Sequence, residues 1–515
     1  MKLRFRSVSL LVLALSLPAI ASAQDTAPAE AGDVLDTPLP ADTPQPVAAP
    51  APTGDPVLDR LNTLEARVQT LEQENAELRA QSSDTQTRVQ KVEVRAAKAS
   101  ATNGIVPTFS DVNGVTTFKV RGVLDADYVG FNERKGGYDY NNGTGFRRAR
   151  LGFEGTAFKN FNWRVEVDFA GNVVALQDAY VQYVGIKPLQ ITLGQFKAPF
   201  GLESNNSDNY NVFLERGMFN NAAATLGAER RIGVAVGYIK PNFTLTAGLF
   251  GENESFGRIA PAATASSSCA KNNTVRPSLC DTPDEGYGGN VRVTWEPVLE
   301  DRKILHLGAA SYYRTDLRTA SAVGIQASDR PNVRVDNGNI ADSGLIPDAN
   351  SAWYYGFEAA AVYGPLTLAA EYGHLKIKRD KDLFPAQTGV IPGAGNPSFD
   401  GWYVYGTWFL TGESRPFKNG NFDRIRPFHD LDGKGGWGAW ELGLRYDTAN
   451  FSDTPVTLRA GNKAHSLTAA VNWYWNPFIK LQFNYIRFAG TNTPLDPVGN
   501  KTRGDAFATR LHIDW

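Results

Sequence analysis

The last ten residues, 506–515, alternate strictly between two kinds of side chain. One parity is mostly apolar and the other mostly polar or charged: Phe507, Thr509, Leu511, Ile513 and Trp515 against Ala508, Arg510, His512 and Asp514. Because a strand turns successive side chains to opposite faces, this segment has one apolar and one charged face. In a soluble protein it would be an edge strand packed on a core. In a transmembrane barrel its apolar face contacts lipid and its charged face an aqueous lumen.

The N-terminus favours the barrel. Basic residues in the first six positions precede an apolar run, 8–17, and the small residues Ala21-Ser22-Ala23. This order predicts a secretory signal peptide, residues 1–23, that is removed on export. No later segment has the 18 or so consecutive apolar residues of a membrane helix. An exported chain whose last strand has a lipid-facing side indicates the outer membrane of a Gram-negative bacterium.

Composition narrows the function classes. The mean hydropathy of −0.30 excludes a helical membrane protein but not a barrel, in which half of each strand is polar. The formal net charge of −2 indicates no nucleic-acid partner. Cys269 and Cys280, in a Ser/Asn/Pro-rich stretch, allow a disulfide in an oxidising periplasm and have too few neighbouring ligands for a metal site.

Two segments separate the signal peptide from the barrel. Residues 24–55 are rich in Ala, Pro, Thr and Asp and are expected to form an extended linker. Residues 56–100 have apolar residues at alternating spacings of four and three, which predicts a short parallel coiled coil and an oligomer; the seam consists of Val57, Leu61, Leu64, Val68, Leu71, Asn75, Leu78, Val89 and Val92. A single amphipathic helix is the alternative. The seam residues do not decide between two and three strands in the coil.

From Thr117 to the C-terminus the pattern has period two, and residues 101–515 are predicted to form the barrel. Sixteen alternating segments give an all-β fold, a 16-stranded antiparallel transmembrane β-barrel with a water-filled channel. The connections also alternate in length: most even ones are short, such as 364–365, and most odd ones are long, such as 197–229 and 315–352. Short periplasmic turns and long external loops are typical of such barrels. One connection, 410–437, is predicted to be an unusually long periplasmic turn.

Several motifs resemble the phosphate-selective porin O/P family. They occur in the expected order across about 117–515: FRRAR (146–150) with GFEG (152–155), LGQFK (193–197) with FGLE (200–203), LTGE (410–413), GAWEL (438–442) with RY (445–446), and NWY (472–474) with NP (476–477). The resemblance implies a homotrimer of barrels, each with its own pore, and no cofactor. It also implies that the loop after strand five, 197–229, folds inward and narrows the pore.

The same resemblance suggests which residues contact the solute. Arg147 and Arg148 match an arginine pair of the constriction, Arg121 matches an inward basic position, and Asp178 matches an acidic residue that helps the ion to leave. Arg216, Arg230 and Arg231 border the inward loop and are expected near the entrance. Each of these residues has an alternative role as an ordinary lumen charge in the ion pairs that stiffen porin walls.

An outer-membrane diffusion porin that prefers anions and passes phosphate or related oxyanions is therefore the predicted function. Guanidinium groups are well suited to oxyanions because they donate in a planar, bidentate geometry. A general, weakly selective porin is the alternative, because Gln195 occupies a position where phosphate-selective members have Arg, with only Lys197 nearby. From another class, the barrel would anchor a structural envelope protein whose periplasmic coiled coil contacts the cell wall or a partner. None of the five His lies beside a nucleophile signature, so no enzyme is predicted.

Overall fold

A computed structural model gives the fold. It describes residues 54–99, 108–111, 114–135, 138–253, 285–315, 317, 324–344, 346–347, 349–379, 395–453, 462–491 and 501–515, and the side chains of 87–99, 134–135, 324 and 347 are not described. The predicted signal peptide, nearly all of the linker, and Cys269 and Cys280 lie outside these residues. Those assignments stay predictions.

A long helix, α1, spans Pro56–Ala99. Asp55 begins it as an N-cap, accepting a hydrogen bond from the Val57 N–H at 2.9 Å, and Pro56 occupies the first position, where a missing N–H is tolerated. Between Val57 and Leu78 the apolar residues of the predicted seam are exposed; Leu61, Leu64 and Leu71 are each at least half exposed. None of the described helices has an apolar stretch of the length needed to cross a bilayer.

The barrel is a closed antiparallel sheet of sixteen long strands, which confirms the predicted fold class. The strands are β1 Thr117–Lys135, β2 Gly143–Ala157, β3 Phe161–Asp168, β4 Ala175–Tyr183, β5 Leu189–Lys197, β6 Arg230–Lys240, β7 Phe243–Phe250, β8 Gly288–Glu300, β9 Lys303–Arg314, β10 Ala349–Tyr363, β11 Leu366–Arg379, β12 Ser398–Phe409, β13 Ala439–Asn450, β14 Lys463–Tyr474, β15 Ile479–Thr491 and β16 Lys501–Asp514. A short strand, Thr108–Ser110, pairs with the start of β1.

Pairing of β16 with β1 closes the barrel. Val123 is opposite Asp514, and Gly122 and Trp515 exchange backbone hydrogen bonds of 3.2 and 3.1 Å. A Cβ at position 122 would lie 2.0 Å from the Trp515 indole, so glycine is needed for the C-terminal ring to pack there. On β16 the two predicted faces are present: Phe507 is 49% exposed, whereas Arg510 and Asp514 are buried.

Three connections fold into the lumen, where only one was expected. The loop predicted as 197–229 spans 198–229 and contains two short helices and α2, Met218–Gly227. A second, 315–348, contains two nested pairs of short strands (Gly324–Ile325 with Ile346–Pro347, and inside it Ser328–Asp329 with Ala341–Asp342). It packs on α2 in one buried apolar cluster. The third is the long connection 410–438, which the sequence predicts, as 410–437, to be a periplasmic turn. Its buried Arg415 donates to Glu441 of β13 from inside the barrel, at 2.6 Å.

Candidate functional site: the lumen beside strands β1 to β6

The loop 198–229 crosses the lumen and is hydrogen-bonded to the far wall. Inward side chains of β11 and β13 to β16, which we call the far wall, bind its backbone. Glu371 accepts from the Leu202 N–H at 2.6 Å. Four side chains donate to carbonyl oxygens of the loop: Asn472 to Val212 (2.9 Å), Arg510 to Leu214 (2.6 Å), Arg445 to Glu215 (2.8 Å) and Lys480 to Asn209 (2.8 Å). The cations of this wall therefore hold the loop in place, and the cavities described below border the near wall, β1 to β6.

A β-bulge in β2 brings both members of the arginine pair to the lumen side. Arg148 is opposite Asp125 and Phe146 is opposite Ala126, so Arg147 is the extra residue of the bulge. In a regular strand two successive side chains would point to opposite faces. Arg147 makes a bidentate contact with Glu215 of the loop: its Nε and Nη2 donate to the two carboxylate oxygens at 2.7 and 3.1 Å.

Asp208 of the loop lies at the centre of four cations. Its carboxylate oxygens are 3.2 Å from Arg148 Nε, 3.4 Å from Arg150 Nη1 and 3.7 Å from Lys197 Nζ, and Arg216 also pairs with it. Burial raises the pKa of this carboxyl, but the surrounding cations lower it more, so the pKa lies well below its usual range. Asp208 is therefore ionised at neutral pH and still leaves an excess of positive charge around it.

A second ionic group lies on the wall. Arg230 Nε is 2.8 Å from Asp178 Oδ1, and Arg164 Nη1 is 3.6 Å from the other oxygen of the same carboxylate. Arg121 bridges two carboxylates, with Nη1 2.8 Å from Glu154 and Nε 2.9 Å from Glu166. Arg164 Nη2 lies 2.8 Å from Glu154 and joins the two groups. Arg121 and Asp178, each predicted from the sequence as a site residue, therefore belong to one network of alternating charge.

These groups border a polar cavity of about 330 Å³, which we call the lower cavity. Its charged lining consists of five cations and three carboxylates: Arg121, Arg150, Arg164, Lys197 and Arg230 with Glu166, Asp178 and Asp208. A second cavity, of about 420 Å³, lies at the extracellular end of β2 and is lined by Arg147, Arg330 and Arg334 with Asp127. Both cavities have more cations than carboxylates in their lining.

The remaining predicted residues are placed as follows. Lys197 lines the lower cavity and donates to the carbonyl oxygens of Ser204 and Asn206, at 3.1 and 3.3 Å. Arg216 donates to the Glu203 carbonyl oxygen at 3.0 Å within the loop. Arg231 instead turns toward the end of α2, donating to the Leu226 carbonyl oxygen at 2.9 Å and pairing with Glu252.

Gln195, the departure from the family motif, has a structural contact. Leu176 and Asp178 flank a bulge in β4, in which Gln177 is the extra residue. The Gln195 amide nitrogen donates to the carbonyl oxygens of Leu176 at 2.7 Å and of Gln177 at 3.1 Å. The side chain therefore binds the bulge of the neighbouring strand.

Sequence reasoning missed the two carboxylates of the inward loop, Asp208 and Glu215, and two arginines of the second cavity. Asp208 and Glu215 lie in a loop without periodicity, and Arg330 and Arg334 lie in the connection 315–352, for which the sequence predicts only a long external loop. A usable signal was present around these arginines, because Ile325, Val333 and Ile340 are too apolar for a loop in water, and all three are buried. Arg150 and Arg164 were placed on the inward face by period two alone.

The chain is similar to several known proteins. The profile of a family described as phosphate-selective porin O and P matches residues 118–515. Porin O of Pseudomonas aeruginosa is 28% identical over 428 residues, which cover 77% of this chain and 87% of that protein. An uncharacterised protein of Caulobacter vibrioides is 29% identical over 407 residues, covering 78% and 75%. An anion-selective porin from Comamonas acidovorans aligns with a TM-score of 0.47 and 12% identity, covering 77% of this chain and 100% of that one.

Proposed function

Because the chain belongs to the phosphate-selective porin O and P family, we propose that it is an outer-membrane diffusion channel that prefers anions and passes phosphate or related oxyanions. The membership covers the whole barrel, residues 118–515. The solute flows down its own gradient through the lumen beside β1 to β6. The chemistry required is binding and release, with no bond made or broken.

The excess of cations along the near wall carries this proposal. The lower cavity has five cationic side chains against three carboxylates, and four of the cations are arginines. Arginine binds an oxyanion through two parallel N–H groups and stays charged at any physiological pH. The carboxylates compete with the solute for the same guanidinium groups. Such competition keeps binding weak enough for the ion to leave, as conduction requires.

A general porin of weak selectivity is the second candidate. It is favoured by the ion pairs themselves, because Arg121, Arg148 and Arg230 each already lie within 2.9 Å of a carboxylate oxygen. It is also favoured by Gln195, which contributes no charge at a position where phosphate-selective members have Arg. On this alternative the network stiffens the wall and a passing anion gains little.

The reversal potential in a planar bilayer under a KCl gradient distinguishes the two candidates. We expect the sign of the reversal potential to indicate preference for chloride over potassium. We also expect the chloride current to fall as phosphate is added. Conductance with a reversal potential near zero and no block by phosphate would support the general porin. Absence of conductance from correctly folded protein would favour the structural envelope role.

We also propose that the channel is a homotrimer with α1 as a coiled coil in the periplasm. The support comes from α1 itself, in which an apolar seam with heptad spacing is left exposed in a single chain. Deleting 56–99 tests the assignment: we expect cross-linked trimers to become fewer while the barrel still folds. Unchanged cross-linking would assign α1 another role, such as contact with the cell wall or a partner protein.

A further inference from the structure

The outer face of β14, β15 and β16 has a group of basic side chains at its extracellular end. This group, the basic cluster, is formed by Lys463, His465, Arg487, Lys501 and Arg503, all of them exposed. The side chains point away from the lumen, so the basic cluster has no part in the ion path proposed above. It needs an explanation of its own.

The strand register places these basic residues in two rows, one on each side of β15. Lys463 and Lys501 lie on either side of Thr491, and His465 and Arg503 lie on either side of Ala489. Adjacent strands are about 4.8 Å apart, so the two basic sides are separated by about 10 Å over a floor of small residues on β15. That width admits a phosphoryl group between cations on both sides.

Carboxylates neutralise little of this charge. Asp505 is the acidic residue of the described outer face here, and it pairs with Arg487 at 3.1 Å. Two further carboxylates, Asp400 and Asp453, belong to the neighbouring region of β12 and β13, where they bind Asn450 and Ser398. Within the described part of the chain, Lys463, Lys501 and Arg503 make no ion pair.

The height of the basic cluster on the wall identifies its surroundings. Four residues below Lys463, about 14 Å along the strand, Leu467 begins the apolar band. On the next strands the band continues with Tyr485 and Phe507, each more than 40% exposed. Aromatic residues such as Tyr485 mark the edge of the hydrocarbon region in barrels. The cations directly above them are therefore level with the headgroups of the outer leaflet.

From this geometry we propose that the basic cluster binds the phosphoryl groups of an outer-leaflet glycolipid, whose acyl chains lie on the apolar band beneath. Each Lys or Arg near an anionic lipid surface strengthens binding by about 5-fold, and arginine adds bidentate hydrogen bonds to phosphate. The bound lipid would fill the boundary between the outer face of β14 to β16 and the surrounding leaflet.

The test is a titration of the full-length protein in detergent micelles with fluorescent diphosphoryl lipid A at low salt. We expect Lys463→Gln with Arg503→Gln to weaken binding by about 30-fold, since two cations are lost. Lys376→Gln with Lys378→Gln is the matched control, because it removes two exposed lysines from the same end of β11. It should weaken binding by less than about 3-fold.

Equal affinity of the cluster variant and the unaltered protein would overturn the proposal, as would an equal loss in the control, which indicates attraction by diffuse charge. Single-channel conductance of each variant reports on folding. If the cluster variant does not fold, the unaltered protein still decides: it should bind diphosphoryl lipid A more tightly than a phosphate-free analogue. Equal binding of the two lipids would contradict a phosphoryl site.

Discussion

Asp208→Asn is the substitution that most directly probes the charge balance of the lumen. The Asp208 carboxylate contacts Arg148, Arg150, Lys197 and Arg216, and it is one of three carboxylates against five cations in the lower cavity. Asparagine has nearly the same shape but no charge. The substitution therefore raises the positive excess without opening the channel.

The size of the effect follows from Coulomb's law. A unit charge at about 6 Å from a passing ion contributes about 0.7 kcal/mol at the dielectric constant of water. Losing a negative charge thus favours chloride by about 3-fold and disfavours potassium by about 3-fold. The permeability ratio of chloride to potassium should rise by about 10-fold in all. Because Asp208 has a strongly lowered pKa, it is charged throughout the neutral range, and the comparison needs no correction for protonation.

The assay is the reversal potential under a KCl gradient, measured with unaltered protein and variant at the same ionic strength. Asp505→Asn is the matched control, since it removes one carboxylate from the outer face of β16 and should leave the ratio unchanged. A variant that conducts normally with an unchanged ratio would refute the view that ions pass beside Asp208. A change of the same size in the control would show that the effect does not arise in the lumen.

Three further predictions concern the constriction and the segments in the lumen. Replacing Arg147 and Arg148 together by alanine should lower the chloride-to-potassium permeability ratio by at least about 10-fold. Cross-linking should show that assembly is unchanged. An unaltered ratio would mean that both residues only stiffen the barrel wall. Replacing α2, Met218–Gly227, by a short Gly/Ser linker should raise single-channel conductance, and an unchanged conductance would mean that the loop does not narrow the pore. Arg415→Ala leaves the buried Glu441 without its partner and should lower stability by about 3–5 kcal/mol in a thermal melt, whereas the exposed Arg426→Ala should have no such effect.

The barrel was predictable because lipid imposes one rule on every strand. Each second residue of a spanning strand must be apolar, so sixteen segments could be placed from period two alone, and all sixteen are present. Loop lengths gave an independent check, because short and long connections alternate between the two ends. The rule does not extend to irregular segments. For that reason the helix and hairpins inside the lumen have no counterpart in the periodic pattern, and only the first inward loop was expected, through a resemblance.

Within the site, the period-two rule places only some of the residues correctly. It places Arg121, Arg150 and Arg164 correctly, because they lie on regular stretches of strand. It also places Arg148 correctly but fails at Arg147, which faces the same side as Arg148 only because of the bulge. It also fails for Asp208 and Glu215, whose positions depend on bonds from the far wall, such as Arg445 to the Glu215 carbonyl oxygen at 2.8 Å. The same bonds leave the far-wall cations Arg445 and Arg510 bound to the loop. The charged lining of the two cavities therefore comes from the near wall and from side chains of the inward connections, namely Asp208, Arg330 and Arg334.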